Sequence, residues 1–175
     1  MSAAKISFRR GVAADAATLS AFAARVFRDW YLPDNAAEDI ALHLAATFTP
    51  SLQAAELTEP RLTYLLAQAD GQLAGYALLR RDCPHPLVVG QNPWAMERFY
   101  LDRQWHGSGV ALDMMAAAAA MARANGAGTL WLTAWEKNPR AQAFYAKAGF
   151  EDVGTDTFLL GRSLQVDRLL VRALD

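Results

Sequence analysis

The sequence predicts an α/β protein of the α+β kind, with one mixed, twisted sheet and helices on both faces. Three observations carry this. Seven segments have the aromatic and β-branched content of strands, long stretches between them place apolar residues at helical spacing, and the connections are of two kinds. Asp70-Gly71 and Gly161-Arg162-Ser163 join neighbouring strands as hairpins, whereas strand–helix–strand order holds through the second half. Antiparallel and parallel pairings are therefore both implied. At 175 residues the chain is expected to form a single domain, residues 1–175, with a core large enough to need no staples.

Ile6 to Arg10 alternates as a first strand that Gly11 ends. Asp15 opens an amphipathic helix with Leu19, Phe22, Val26 and Phe27 inward. Pro33-Asp34-Asn35 breaks the pattern and is expected to cap a second helix through Ile40, Leu44 and Phe48. Thr49-Pro50-Ser51 starts a short third helix to about Leu57. Leu62 to Ala69 and Gln72 to Arg80 are the strands joined by Asp70-Gly71. Asp82 to Pro93, rich in proline and glycine, is a surface loop. Ala95 to Leu101 is a strand in which Glu97, Phe99 and Leu101 share a face by alternation. Val110, Met114, Ala117, Ala118 and Met121 mark one stripe of a long helix stopped by Asn125-Gly126. Thr129 to Trp135 is apolar enough for a sheet centre. Asn138-Pro139 starts a helix that Gly149 ends, and Gly154 to Leu160 with Val166 to Ala173 form the last hairpin.

The formal net charge is −1 with both signs scattered, which argues against nucleic acid as a partner and leaves room only for a local cationic spot. The single cysteine, Cys83, excludes an intrachain disulfide and points to a reducing compartment. No membrane span, export signal or metal-ligand cluster is evident, so a cytoplasmic protein without a metal is expected.

The chemistry concentrates between Trp94 and Asn125, where a strand turns through His106-Gly107-Ser108-Gly109-Val110-Ala111 into a helix. Such a turn leaves several N–H groups unpaired and pointing one way, ready for an anion. It is neither the three-glycine dinucleotide fingerprint nor a P-loop, which needs Gly-Lys followed by Ser or Thr. Asp29-Trp30-Tyr31 has two readings, ordinary aromatic packing at a helix end or a carboxylate and rings that cradle a cationic amine.

With these residues in place, the chain resembles the GNAT family of acetyl-CoA-dependent N-acetyltransferases over nearly its whole length. His106-x-x-Gly109-x-Ala111 fits the family's cofactor loop, with histidine where glutamine or arginine is usual. Gln104-x-x-Gly107-x-Gly109 matches two residues earlier, and the later frame is favoured because it keeps Leu101 and Val110 at apolar positions. Trp135-Glu136-Lys137-Asn138, Ala143-Phe144-Tyr145-x-Lys147-x-Gly149-Phe150, Phe158-x-x-Gly161 and Gln165-x-Asp167 are similar in detail to the PaiA-type polyamine N-acetyltransferases.

The resemblance implies a GNAT fold, a twisted sheet of six or seven strands whose central pair splays apart, and acetyl-CoA as co-substrate. It places the pyrophosphate on the amides of residues 107–111 and the pantetheine along Phe99, Tyr100 and Leu101. It brings Asn138 to the cofactor, a residue that capping preference equally explains as a plain N-cap. It makes Glu97 a general base, where the residues alone also allow a salt bridge with Arg98 or Arg103. It assigns Tyr145 as the acid toward the leaving thiolate, whereas the residue pattern alone reads as core or rim. Asp29, Trp30, Tyr31 and Glu136 are the candidate acceptor residues. The acceptor is expected to be a small-molecule primary amine, with a polyamine in view. The alternatives are a protein N-terminal or lysine acetyltransferase and a CoA-binding module without catalysis. The C-terminal edge hairpin leaves room for a homodimer.

Overall fold

The computed structural model describes residues 5–174. Seven strands form one sheet: β1 (Ile6–Arg10), β2 (Leu62–Ala69), β3 (Gln72–Arg80), β4 (Pro93–Leu101), β5 (Thr129–Trp135), β6 (Glu151–Leu160) and β7 (Ser163–Ala173). Their spatial order is β1-β2-β3-β4-β5-β7-β6, so the last strand inserts beside the centre and β6 takes the edge. Only β4 and β5 pair in parallel. The β2–β3 hairpin turns at Asp70 (φ 47°) and Gly71 (φ 84°), two successive left-handed residues that follow the strand twist. Both strands of the last hairpin start earlier than the side-chain pattern predicts, at Glu151 and Ser163, because main-chain pairing at an edge tolerates polar side chains.

Five α-helices cover the sheet: α1 (Ala16–Tyr31), α2 (Ala37–Thr47), α3 (Pro50–Thr58), α4 (Val110–Ala124) and α5 (Pro139–Lys147). On one face, α1 to α3 bury Leu19, Phe22, Val26, Phe27, Ile40 and Phe48 against Tyr64, Tyr76 and Leu78. On the other, α4 and α5 close over Met96, Leu130, Leu132 and Ala134. The α4 stripe is rotated from the expected one. Val110, Met114, Met115, Ala118, Ala119 and Ala122 are buried, while Ala117 and Met121 are only half-buried. Alanine adds no bulk to steer the helix, so the two methionines centre it. Pro33-Asp34-Asn35 does not cap α2, whose N-cap is Ala36 without a side-chain bond. Asn35 instead donates from Nδ2 to the Tyr31 carbonyl at 2.7 Å and closes the end of α1.

The decisive irregularity lies in β4. Leu78 pairs with Arg98 and Leu79 with Met96, which leaves Glu97 as an extra residue in a β-bulge. The bulge resets the alternation. Trp94, Met96 and Phe99 join the α4 side, whereas Arg98 and Tyr100 turn to the α1–α3 side. Glu97 follows Arg98 and meets Arg80, so the face predicted for Glu97, Phe99 and Leu101 together does not form. Pairing between β4 and β5 stops at Ala95 opposite Trp131, and beyond that point the two facing edges are open. On its other edge β4 is held close by β3, where a Cβ on Gly75 would lie 2.8 Å from the Tyr100 carbonyl oxygen.

Candidate active site

The open edges of β4 and β5 enclose a cavity of about 450 Å³, walled also by the starts of α4 and α5 and the end of α1. Of the residues singled out from sequence, Trp30, Tyr31, Glu97, Phe99, Tyr100, Leu101, His106, Gly107, Ala111, Asn138 and Tyr145 line it. Ser108, Gly109 and Val110 stand behind the lining. Val110 is a core residue, Ser108 donates to the Trp105 carbonyl, and Gly109 is the N-cap of α4. Asp29 and Glu136 do not join the cavity lining. Asp29 lies on the outer side of α1 beside Arg25 and Arg28, and Glu136 is exposed just past β5. The helical turn that points Trp30 and Tyr31 inward carries Asp29 outward, since adjacent residues stand about 100° apart.

Gly107 (φ 77°) and Gly109 (φ 91°) adopt left-handed backbone that glycine alone enters freely. The amides of Gly107, Gly109 and Ala111 find no hydrogen-bond partner among the described residues. They stand at the positive end of the α4 dipole, which is a ready anion site. Arg103, Lys137 and Arg140 line the same cavity and supply the cationic spot that the overall charge conceals. Sequence reasoning named none of the three as a cofactor contact, although Arg140 in the first turn of α5 runs against the helix dipole and was a legible signal. His106 does not add to this cationic spot in the same way. Burial lowers its pKa, its Nε2 lies 3.2 Å from the Leu101 carbonyl oxygen, and its ring stacks on Trp30 with centroids 5.1 Å apart.

Tyr145 is 9% exposed, and burial pushes its phenol pKa up, with Tyr31 adding to the shift. No described residue forms a hydrogen bond with its hydroxyl, and its ring meets Phe99 and Phe144 edge to face. Asn138 does act as an N-cap: its Oδ1 accepts from the Ala141 amide at 3.0 Å, which leaves its Nδ2 free to donate into the cavity. Both Glu97 oxygens accept from Arg80, a different partner from the Arg98 or Arg103 that sequence allowed. Arg98 is committed elsewhere, in paired bonds of 2.8 Å to Glu56. Cys83 lies outside the cavity. Burial raises its thiol pKa, and its carbonyl accepts from the Trp131 indole.

A side chamber of about 90 Å³ adjoins the cavity on the α1–α3 side. Tyr31, Glu97, Tyr100, Thr133 and Trp135 belong to both spaces, and Phe27, Phe158 and Leu160 wall the chamber. Asp167 of β7, opposite Trp135, is 7% exposed and its Oδ1 has no hydrogen-bond partner. Burial raises its pKa, the Thr133 hydroxyl opposes that shift, and Asp156 and Glu136 add to it. Among the described residues no group of His, Cys, Asp and Glu could hold a metal ion, and no helix is long and apolar enough to cross a membrane.

Comparison with known proteins agrees with this architecture. The profile of the acetyltransferase (GNAT) family matches residues 24–150. An uncharacterized N-acetyltransferase of Mycobacterium tuberculosis is 39% identical over 160 residues, spanning 91% of this chain and 98% of its own length. Another, from the pepI 3′ region of Lactobacillus delbrueckii subsp. lactis, is 31% identical over 154 residues, 88% of this chain and 89% of that one. Among solved structures, a PaiA N-acetyltransferase from Thermoplasma acidophilum in complex with coenzyme A superposes with a TM-score of 0.80 at 20% identity, over 97% of this chain and 99% of that one.

Proposed function

The chain belongs to the GNAT family of acetyltransferases and is an N-acetyltransferase; from that premise we propose that it moves the acetyl group of acetyl-CoA directly to a primary amine of a small molecule. The observation that carries this reading is one cavity joining three features: an unpaired strand edge, free amides at a helix start and a buried phenol. The amides of Gly107, Gly109 and Ala111, with Arg103, Lys137 and Arg140, suit the CoA phosphates. The open edge of Phe99 to Leu101 suits the amide-bearing pantetheine, which would pair there like a short strand. Asn138 donates from Nδ2 to the same arm.

In the reaction the neutral amine nitrogen attacks the thioester carbonyl, the new C–N bond forms, the C–S bond breaks to release a thiolate, and the nitrogen sheds its surplus proton to that thiolate or to solvent, leaving the amide. An alkylammonium with a pKa near 10.4 must first lose a proton at neutral pH. Glu97 at the bulge would take it, directly or through water, once one of its oxygens leaves Arg80. Tyr145 stays protonated because burial raises its pKa. Even unshifted, phenol to thiolate transfer is uphill by roughly 2 kcal/mol, so its part is a strong hydrogen bond to the departing sulfur rather than full proton donation.

A small acceptor is favoured over a protein tail by the side chamber, which has aromatic walls and a buried carboxylate whose Oδ1 has no hydrogen-bond partner. The motif likeness to PaiA-type enzymes makes a polyamine a reasonable first acceptor. The test is calorimetric titration with acetyl-CoA and CoA, followed by thiol release from acetyl-CoA across a panel of amines. Binding with amine-dependent thiol release is expected. No association with either compound would sink the reading, and binding without release for any amine would leave a module that holds CoA without catalysis.

A further inference from the structure

We propose that Asp167 anchors a second positive charge on the acceptor, separate from the amine that is acetylated. This rests on the acetyl-transfer reading above and names a selectivity residue for it. The Asp167 side chain is buried, yet no described residue donates to its Oδ1. The amide groups that line the same chamber are engaged elsewhere. Gln165 accepts from the Trp135 indole and donates to Ser163, and Asn35 donates to the Tyr31 carbonyl. A buried carboxylate oxygen left without a donor and without a countercharge is costly, so the chamber fits a ligand that brings both. Aromatic faces of Phe27, Tyr31, Tyr100 and Phe158 add to the attraction for a cation and to the exclusion of anions.

The layout separates two positions. Tyr145 lines the main cavity and not the side chamber, whereas Asp167 lines the chamber and not the main cavity. The nitrogen that attacks must be neutral and beside the thioester, so it belongs to the main cavity. A group held by Asp167 keeps its charge throughout, and Tyr31, Glu97, Tyr100, Thr133 and Trp135 line both spaces, so a short aliphatic chain reaching from one to the other would pass among them. The preferred acceptor is therefore an aliphatic amine with a second ammonium a short chain away.

A matched pair of probes tests this: 1,4-diaminobutane and n-pentylamine have nearly the same length and differ in the second charge. For the unmodified protein kcat/KM is expected to favour the diamine by roughly ten- to hundredfold, the worth of a charge-assisted hydrogen bond. In Asp167→Asn that ratio should fall to near one, chiefly through KM of the diamine. Asp167→Ser serves if the asparagine variant fails to fold by circular dichroism. Binding is read separately, by calorimetric titration of the diamine in the presence of CoA. Weakened diamine binding in the variant would uphold the anchor even in a protein that releases no thiol, the result that would count against the transfer reading alone. A ratio and a diamine affinity unmoved by the substitution would overturn the proposal. So would an equal loss of kcat for both amines, which would make Asp167 a proton acceptor or a structural carboxylate.

Discussion

Two side chains of the active site carry separable parts of the chemistry, and single substitutions distinguish them. Tyr145→Phe keeps the edge-to-face contacts with Phe99 and Phe144 and removes only the hydroxyl. Turnover should fall roughly a hundredfold, the scale seen when one transition-state donor is lost, with acetyl-CoA affinity within about twofold of the parent. Equal turnover would remove Tyr145 from the mechanism. Glu97→Gln instead should flatten the rise of rate with pH, since its contribution is to accept a proton. Profiles that superimpose would place the base elsewhere. Of these residues, only the identity and order were legible in the chain. The Arg80 pair on Glu97 was not, because Arg80 and Glu97 meet only through the slipped β3–β4 register.

At the scale of elements, the strand–turn–helix unit from β4 to α4 makes the anion site, and Gly109 is its hinge. A Cβ at Gly109 meets nothing within 4 Å, so an alanine there is opposed by backbone conformation alone. For a residue held at φ 91° that cost is about 1–2 kcal/mol. Gly109→Ala should lower unfolding stability by about that amount in denaturant titration. It should also weaken CoA binding by roughly tenfold, as the turn relaxes away from the geometry that aims its amides. If the variant binds CoA like the parent, the amides of this turn are not the phosphate grip. The turn was readable from two glycines before a helical stripe, and so was the Asp70-Gly71 hairpin. The cap assigned to Pro33-Asp34-Asn35 was misread because a turn residue between two helices can serve either one, and here Asn35 closes the earlier.

For the molecule as a whole, the α1–α3 face has a titratable weak point in His43. Its ring stacks on Phe27 at 4.4 Å and meets Phe48 and Phe158 edge to face. Burial, with Arg98 nearby, lowers its pKa to about 4. The unfolded chain takes up the proton near pH 6.5 and the folded chain only near 4. The neutral ring therefore contributes stability that is fully present above pH 6.5 and is lost as pH falls toward 4. Melting temperature is expected to drop between pH 7 and 5, before most carboxylates titrate, and the drop should shrink in His43→Phe, which keeps the aromatic packing. An undiminished drop in that variant would assign the acid sensitivity to other groups.

The order of strands and helices, the two hairpins, the glycine turn and the family likeness were all determined by the sequence alone, because each is written in residues a few positions apart. Turn chemistry, helical and strand periodicity and short motifs are local properties. Only the tertiary structure decided the rest: the insertion of β7 between β5 and β6, the bulge that turns Glu97 to Arg80, the exclusion of Asp29 and Glu136 from the cavity, the gathering of Arg103, Lys137 and Arg140 around it, and the placing of Asp167 in the adjoining chamber. These depend on which strands pair and in what register. A one-residue slip in a strand reverses the face of every side chain beyond it without changing a letter of the sequence.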